Sequence, residues 1–207
     1  MDSILTRSLL SILLAGIAAT AHADKPAPGT PKVAEEKAVN LCSTCHGPRG
    51  VSTSPEFPNL AAQRESYFVR QIHAFRDRSR AEKDAHDFMW GIASQLDEAI
   101  IGELARYYAA QAPAPGRPAD PPLAYKGKEL FDRGAPDRAI PACASCHGPN
   151  AEGKEDTPRL AGQHAKYVAK QLRSMQEESR ANEQMRGIVK KLRPEEMLAV
   201  SAYVQSR

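Results

Sequence analysis

The sequence predicts an all-α protein built from two tandem, related domains, and three observations predict it. An apolar stripe at helical spacing, Phe68, Ile72 and Phe75, recurs one hundred residues later as Val168, Leu172 and Met175. Around that stripe the chain repeats itself. Pro58-Asn59-Leu60-Ala61-Ala62-Gln63 lies opposite Pro158-Arg159-Leu160-Ala161-Gly162-Gln163, Tyr67 opposite Tyr167, Gln71 opposite Gln171, and Ser79-Arg80 opposite Ser179-Arg180. Between the copies, residues 112–122 read Ala-Pro-Ala-Pro-Gly-Arg-Pro-Ala-Asp-Pro-Pro, too proline-rich to be helical and expected to form a fairly stiff connector. No segment sustains the period-two alternation of a strand.

At the N-terminus, Arg7 precedes an apolar run from Ser8 to Thr20, and Ala21-His22-Ala23 offers small residues at both positions a signal peptidase reads. Cleavage before Asp24 is expected, which makes residues 1–23 a secretory signal peptide; the run is short for a membrane anchor, the competing reading. The expected domains are then 24–111 and 123–207, joined by the connector at 112–122. Each follows one order: a first helix (Val33 to Leu41 in the first half), a short cysteine motif, a long loop, a middle helix, a methionine-bearing segment and a closing helix. Asp97 and Pro194 mark the starts of the closing helices, whose apolar stripes are Ile101, Leu104 and Tyr108 against Met197, Val200 and Val204.

The chemistry lies in the cysteine motif. Cys42-Ser43-Thr44-Cys45-His46 and Cys143-Ala144-Ser145-Cys146-His147 use all four cysteines of the chain. Two thiols separated by two residues can add across the two vinyl groups on one edge of a haem, and the next histidine is then placed to ligate its iron. A zinc knuckle would lack a fourth ligand at finger spacing, and a redox dithiol has no need of the adjacent histidine. The expectation is two haem c groups, held covalently through Cys42, Cys45, Cys143 and Cys146, with His46 and His147 as iron ligands. Gly47 and Gly148 follow the histidines and would let the backbone turn close to the porphyrin.

The second axial ligand decides whether the iron is open to substrates. Met1 leaves with the signal, Met175 aligns with Phe75 and Met197 with Ile101, so only Met89 and Met185 recur, with a four-residue shift in the alignment. A bis-histidine scheme fails because His73 aligns with Arg173, His164 with Arg64 and His86 with Asn182. Met89 and Met185 are therefore the expected distal ligands. Pro58 and Pro158, twelve and eleven residues after the two histidines, either punctuate the loops or offer their carbonyls to the imidazole N–H groups.

With these residues in view, the chain resembles the cytochrome c4 family, dihaem members of the bacterial class I cytochromes c. The resemblance rests on Cys143 to Pro149 preceded by Gly134 and Ile140-Pro141-Ala142, on Cys42 to Gly47 followed by Gly50-Val51-Ser52, on Pro-x-Leu-Ala in both halves and on Tyr107-Tyr108-Ala109. It implies two class I cytochrome c domains, each wrapped around a covalent haem and related by a pseudo-twofold. It implies periplasmic electron transfer with peripheral membrane association, between partners such as a quinol-oxidising complex and a terminal oxidase or reductase. One departure is that the first helix lacks the glycine and aromatic pair found at Gly127 and Phe131, which questions how tightly it packs on the closing helix. Another is that Trp90 follows Met89 where Arg186 follows Met185, so the two haem surroundings differ.

The formal charge of +3 is small, each haem adds two propionates, and nothing points to nucleic acid. Arg80 and Arg180 are read as helix ends, where a cation suits the dipole, and because they recur they are candidates to contact haem propionates. An electron carrier without bond chemistry is the preferred class. A dihaem relay subunit of a dehydrogenase complex is the alternative, and a dihaem peroxidase would need an open iron, against which the paired methionines argue.

Overall fold

The computed structural model describes residues 29–207, so the leader expected at 1–23 lies outside the described residues. Helix α1 (Pro31–Lys37) begins two residues before Val33 because Thr30 caps it and Pro31 occupies its first turn. It runs without interruption through a π turn at Ala38–Cys42 into α2 (Ser43–His46). A long loop leads to α3 (Glu65–Arg76), a second π turn (Ala85–Met89), α4 (Trp90–Ala93) and α5 (Glu98–Ala109). Asp97 caps α5, its Oδ1 accepting from the Ile100 N–H at 2.8 Å.

The second half repeats the order with α6 (Pro121–Arg133), α7 (Ala144–His147), α8 (Ala165–Gln176), α9 (Glu183–Val189) and α10 (Pro194–Gln205). Pro121 and Pro122, expected in the connector, instead open α6. Asp120 caps that helix, and the first turn has no intrahelical partner for the N–H that proline lacks. Among the described residues there is no strand, only isolated bridges such as Arg80 with Arg180. Those two arginines do not end helices as expected. Arg78 and Glu178 take left-handed backbone, with φ of 63° and 64°, which stops α3 and α8 at Arg76 and Gln176 and turns each following segment toward the other half.

Each half has its own apolar core. Phe68, Ile72, Phe75, Ile100, Ile101, Leu104 and Tyr108 form one, and Phe131, Val168, Leu172, Met175, Val189, Met197 and Val204 the other. The question about the first helix is answered by size. Ala34 and Ala38 are buried with Ile101 and Ala105, doing with small side chains what Gly127 does where α6 crosses α10. A Cβ on Gly127 would lie 2.0 Å from the Ala199 carbonyl oxygen.

The halves are locked by a reciprocal pair of glutamines. Gln63 Oε1 accepts from the Arg159 N–H at 2.9 Å while its Nε2 donates to the Arg159 carbonyl at 3.1 Å. Gln163 treats Asn59 in the same way, at 2.8 Å and 3.0 Å. Residue for residue these are symmetry mates, and they express the pseudo-twofold in hydrogen bonds.

Candidate functional site

The loop after each histidine is folded by one carbonyl. Gly50 O accepts from the N–H groups of Leu60 and Ala61 at 2.8 Å and 3.1 Å, and Ala151 O accepts from those of Leu160 and Ala161 at 2.8 Å and 2.9 Å. The next residue is then stapled to the closing helix, Ala62 N–H to Tyr108 O at 2.8 Å and Gly162 N–H to Val204 O at 2.9 Å. These bonds hold Pro-x-Leu-Ala beneath the histidine in each half. Gly47, at φ 73°, permits the sharp exit from α2, where a Cβ would meet the Val51 oxygen at 2.0 Å.

Both histidines are nearly buried, 8% and 7% exposed. His46 Nδ1 lies 2.9 Å from the Pro58 carbonyl and His147 Nδ1 lies 3.0 Å from that of Pro158. A carbonyl can only accept, so Nδ1 carries the proton and Nε2 keeps its lone pair. Burial lowers both imidazole pKa values, against the smaller opposing pull of the proline carbonyls, and keeps the rings neutral. Each proline carbonyl thus lies within hydrogen-bond reach of the histidine of its own half.

All ten singled-out residues line one continuous cavity of 520 Å³ that reaches into both halves: Cys42, Cys45, His46, Pro58, Met89, Cys143, Cys146, His147, Pro158 and Met185. Its walls are largely apolar, with Phe68, Ile72, Leu104, Val168, Leu172 and Val200 among them. Burial raises the Cys42 thiol and pushes the Cys143 thiol up to about 11, the reverse of what a thiolate nucleophile or zinc ligand requires. No group of three or more His, Cys, Asp or Glu side chains among the described residues is arranged to hold a metal ion by itself. The donor set instead suits a flat apolar group that brings its own iron: two thiols on one edge, a neutral imidazole, a thioether and apolar walls. Met175 and Met197, excluded as ligands by alignment, are buried in the second core at 8% and 3% exposed.

Part of the site escaped the motif reading. Gln71, Gln171, Tyr67, Tyr167 and Glu82 also line the cavity, and Arg80 and Arg180 join them between the halves. The available signal was the recurrence of polar residues at 63/163, 71/171 and 80/180. His164, which has Arg64 opposite it in the first half, is buried between Ser52 and Arg117 and away from the cavity wall.

A family model for cytochrome c matches residues 124–207. The first half repeats the order of helices and the cysteine motif of that matched half around the same cavity, and the molecule is a two-domain class I c-type cytochrome with two covalently bound haem c groups, an electron-transfer protein and not an enzyme. Over 190 residues the chain is 39% identical to cytochrome c4 of Thiocapsa roseopersicina, covering 89% of this chain and 96% of that one. It is 36% identical to cytochrome c4 of Azotobacter vinelandii, covering 97% and 99%. The solved structure of Acidithiobacillus ferrooxidans cytochrome c4 matches with a TM-score of 0.76 at 38% identity, over 80% of this chain and 98% of that one. The chain belongs to the cytochrome c4 family.

Proposed function

We propose that the protein is a periplasmic electron carrier whose first half (24–111) holds one haem through Cys42, Cys45, His46 and Met89, and whose second half (123–207) holds the other through Cys143, Cys146, His147 and Met185. Its donor would be a quinol-oxidising complex and its acceptor a terminal oxidase or reductase. The observation that carries this reading is the single cavity lined by both residue sets. When bound, each haem supplies a one-electron ferric/ferrous couple. The chain does the rest. Cys42, Cys45, Cys143 and Cys146 would hold the porphyrins, Pro58 and Pro158 would orient the imidazoles, and Met89 and Met185 would occupy the remaining iron position against substrates. Gln63 and Gln163 hold the halves in one relative orientation, so an electron entering one half stays close to the other. Among the described residues no helix is long and apolar enough to cross a membrane.

The test is the optical spectrum of the oxidised protein with its haem content per chain. Two haems and the weak long-wavelength band of methionine sulfur on ferric haem, halved by either Met89→Ala or Met185→Ala, are expected. A wild-type protein without that band, or with one haem, would overturn the ligand assignment.

A further inference from the structure

Two arginines and one carboxylate are buried where the halves meet. Arg80, Arg180 and Glu82 are 5%, 3% and 5% exposed. Their segments are tied together by reciprocal backbone bonds, Ala81 N–H to Ser179 O at 2.7 Å and Ala181 N–H to Ser79 O at 3.0 Å. Arg80 donates from Nε to Glu82 Oε1 at 2.9 Å, pairs with the same oxygen through Nη2, and reaches Gln71 and Gln171. Arg180 donates to Gln171 Oε1 at 2.6 Å, Gln71 Oε1 at 2.8 Å and the Tyr67 hydroxyl at 2.6 Å, all neutral groups. Counted from the two arginines, Asn182 stands two residues after Arg180 as Glu82 stands two after Arg80, although the shifted alignment that pairs Met89 with Met185 sets it against His86; its Oδ1 caps α9 at the Met185 N–H.

The cluster therefore holds two buried cations and one buried anion on the wall of the cavity. Buried charge is costly unless compensated, so the arrangement suits a cavity that receives further anionic groups, and haem brings propionates. Symmetry would have given each half the same compensation; Glu82 breaks it. Glu82 belongs to the first half's side: its carbonyl accepts from the Ala85 and His86 N–H groups at the base of the turn that carries Met89. Its partner Arg80 lies 4.3 Å from the Phe75 ring centre, in the first core, and accepts through its carbonyl from Trp90 Nε1 at 2.9 Å. Glu82 Oε2 is buried with no hydrogen-bond partner, so part of its charge remains unsatisfied by the chain.

We propose that Glu82 is the residue that makes the two haem sites electrostatically unequal, favouring the ferric state of the first-half haem, while Asn182 leaves the second half without that negative charge. This rests on the placement of one haem in each half. Glu82 is a positioning and tuning residue, with no contact to a reacting group required. A fixed negative charge in a low-dielectric wall stabilises the more positive oxidation state and lowers the potential of the nearer iron.

The experiment is a redox titration of the dihaem holoprotein, with each haem resolved by its paramagnetically shifted methyl resonances. Glu82→Gln keeps the shape and an acceptor for Arg80 and removes the charge. It should raise the first-half potential, more than it moves the second-half potential and more than Glu98→Gln does at a carboxylate 66% exposed. Asn182→Asp should lower the second-half potential, since aspartate still caps α9. Equal shifts of both haems in Glu82→Gln, or none, with two haems and the methionine band intact, would overturn the proposal. If Glu82→Gln fails to assemble, Asn182→Asp decides it, an unmoved second-half potential counting against. Haem content and the methionine band of the wild type, measured first, separately test the placement of the haems themselves.

Discussion

The two halves share the residues that grip and diverge in the backbone that leads to them. In the first half, both Cys42 and Met89 end π turns, Ala38–Cys42 and Ala85–Met89. In the second, Cys143 follows a turn stapled by the Ala135 and Ile140 pair, and Met185 sits inside the regular helix α9. A π turn widens a helix by one residue, so the first half obtains by local distortion the placement that the second obtains with a longer α6 and a loop. What stays fixed is the set of contacts made by each loop: the Gly50 and Ala151 carbonyls, the staples to α5 and α10, and the Nδ1 bonds to Pro58 and Pro158. Duplicated sequence preserves the clamp and tolerates change in its approach.

The largest expected effect removes one clamp. Replacing Cys143 and Cys146 by alanine should leave a chain with the first-half haem only and an unstable second half, because Leu172, Val200 and Val204 would then line a hole. The same change at Cys42 and Cys45 should do the converse. Haem per chain by mass spectrometry, with helix content by circular dichroism, checks both; covalent retention of both haems by either variant would refute the symmetry of attachment.

The next effect sharpens the contrast between the helix pairs. Gly127→Ala puts a Cβ against the Ala199 backbone, which cannot retreat as a flexible side chain can, and should destabilise the second half by about 2–3 kcal/mol. Ala34→Gly in the first half creates no clash and should cost about 1 kcal/mol. Denaturant unfolding of each holoprotein variant measures the two costs, and equal values would mean that the α1 and α6 crossings are not different after all.

These contrasts also explain what was legible in the sequence. The cysteine motifs, the recurring methionines and the closing helices were readable because each depends on local spacing: Cys-x-x-Cys-His, a helical stripe, Asp97 as a cap. The extents of α3 and α8 were not, since Arg78 and Glu178 are not glycine and gave no hint of left-handed backbone. Nor was the burial of Arg80 and Arg180, which depends on partners about ninety to one hundred and ten residues away, Gln171 for one and Tyr67 and Gln71 for the other. Pro121 and Pro122 misled because proline breaks a helix interior yet suits a first turn, and only the cap by Asp120 distinguishes the two.

Smaller effects test the junction itself. Gln63→Ala removes two bonds to Arg159 and leaves that residue's N–H and carbonyl unpaired, and Gln163→Ala does the same to Asn59. Each should cost about 1–3 kcal/mol, and the two costs should match if the interface is as symmetric in energy as in geometry. Unequal denaturation midpoints would show that one of the pairs carries the junction.

The smallest effect lies where the junction has no symmetry mate. His164 is 1% exposed, its Nε2 at 3.1 Å from the Ser52 carbonyl and its Nδ1 at 3.2 Å from Arg117 Nη1. The carbonyl accepts and the guanidinium donates, so the ring is neutral with its proton on Nε2. A second proton would displace Arg117 and place two cations side by side. Burial, then the Arg117 charge, lower the His164 pKa below the ordinary 6.5, against the raising influence of the Ser52 carbonyl. The unfolded chain therefore takes up this proton before the folded one does. The stability contributed by neutral His164 is fully present above pH 6.5 and is lost as pH falls from there through the folded value. In the first half Arg64 stands at the equivalent position. His164→Gln should flatten the fall in the denaturation midpoint between mildly alkaline and mildly acidic buffer relative to wild type. An unchanged slope would assign the acid sensitivity elsewhere and leave His164 as packing alone.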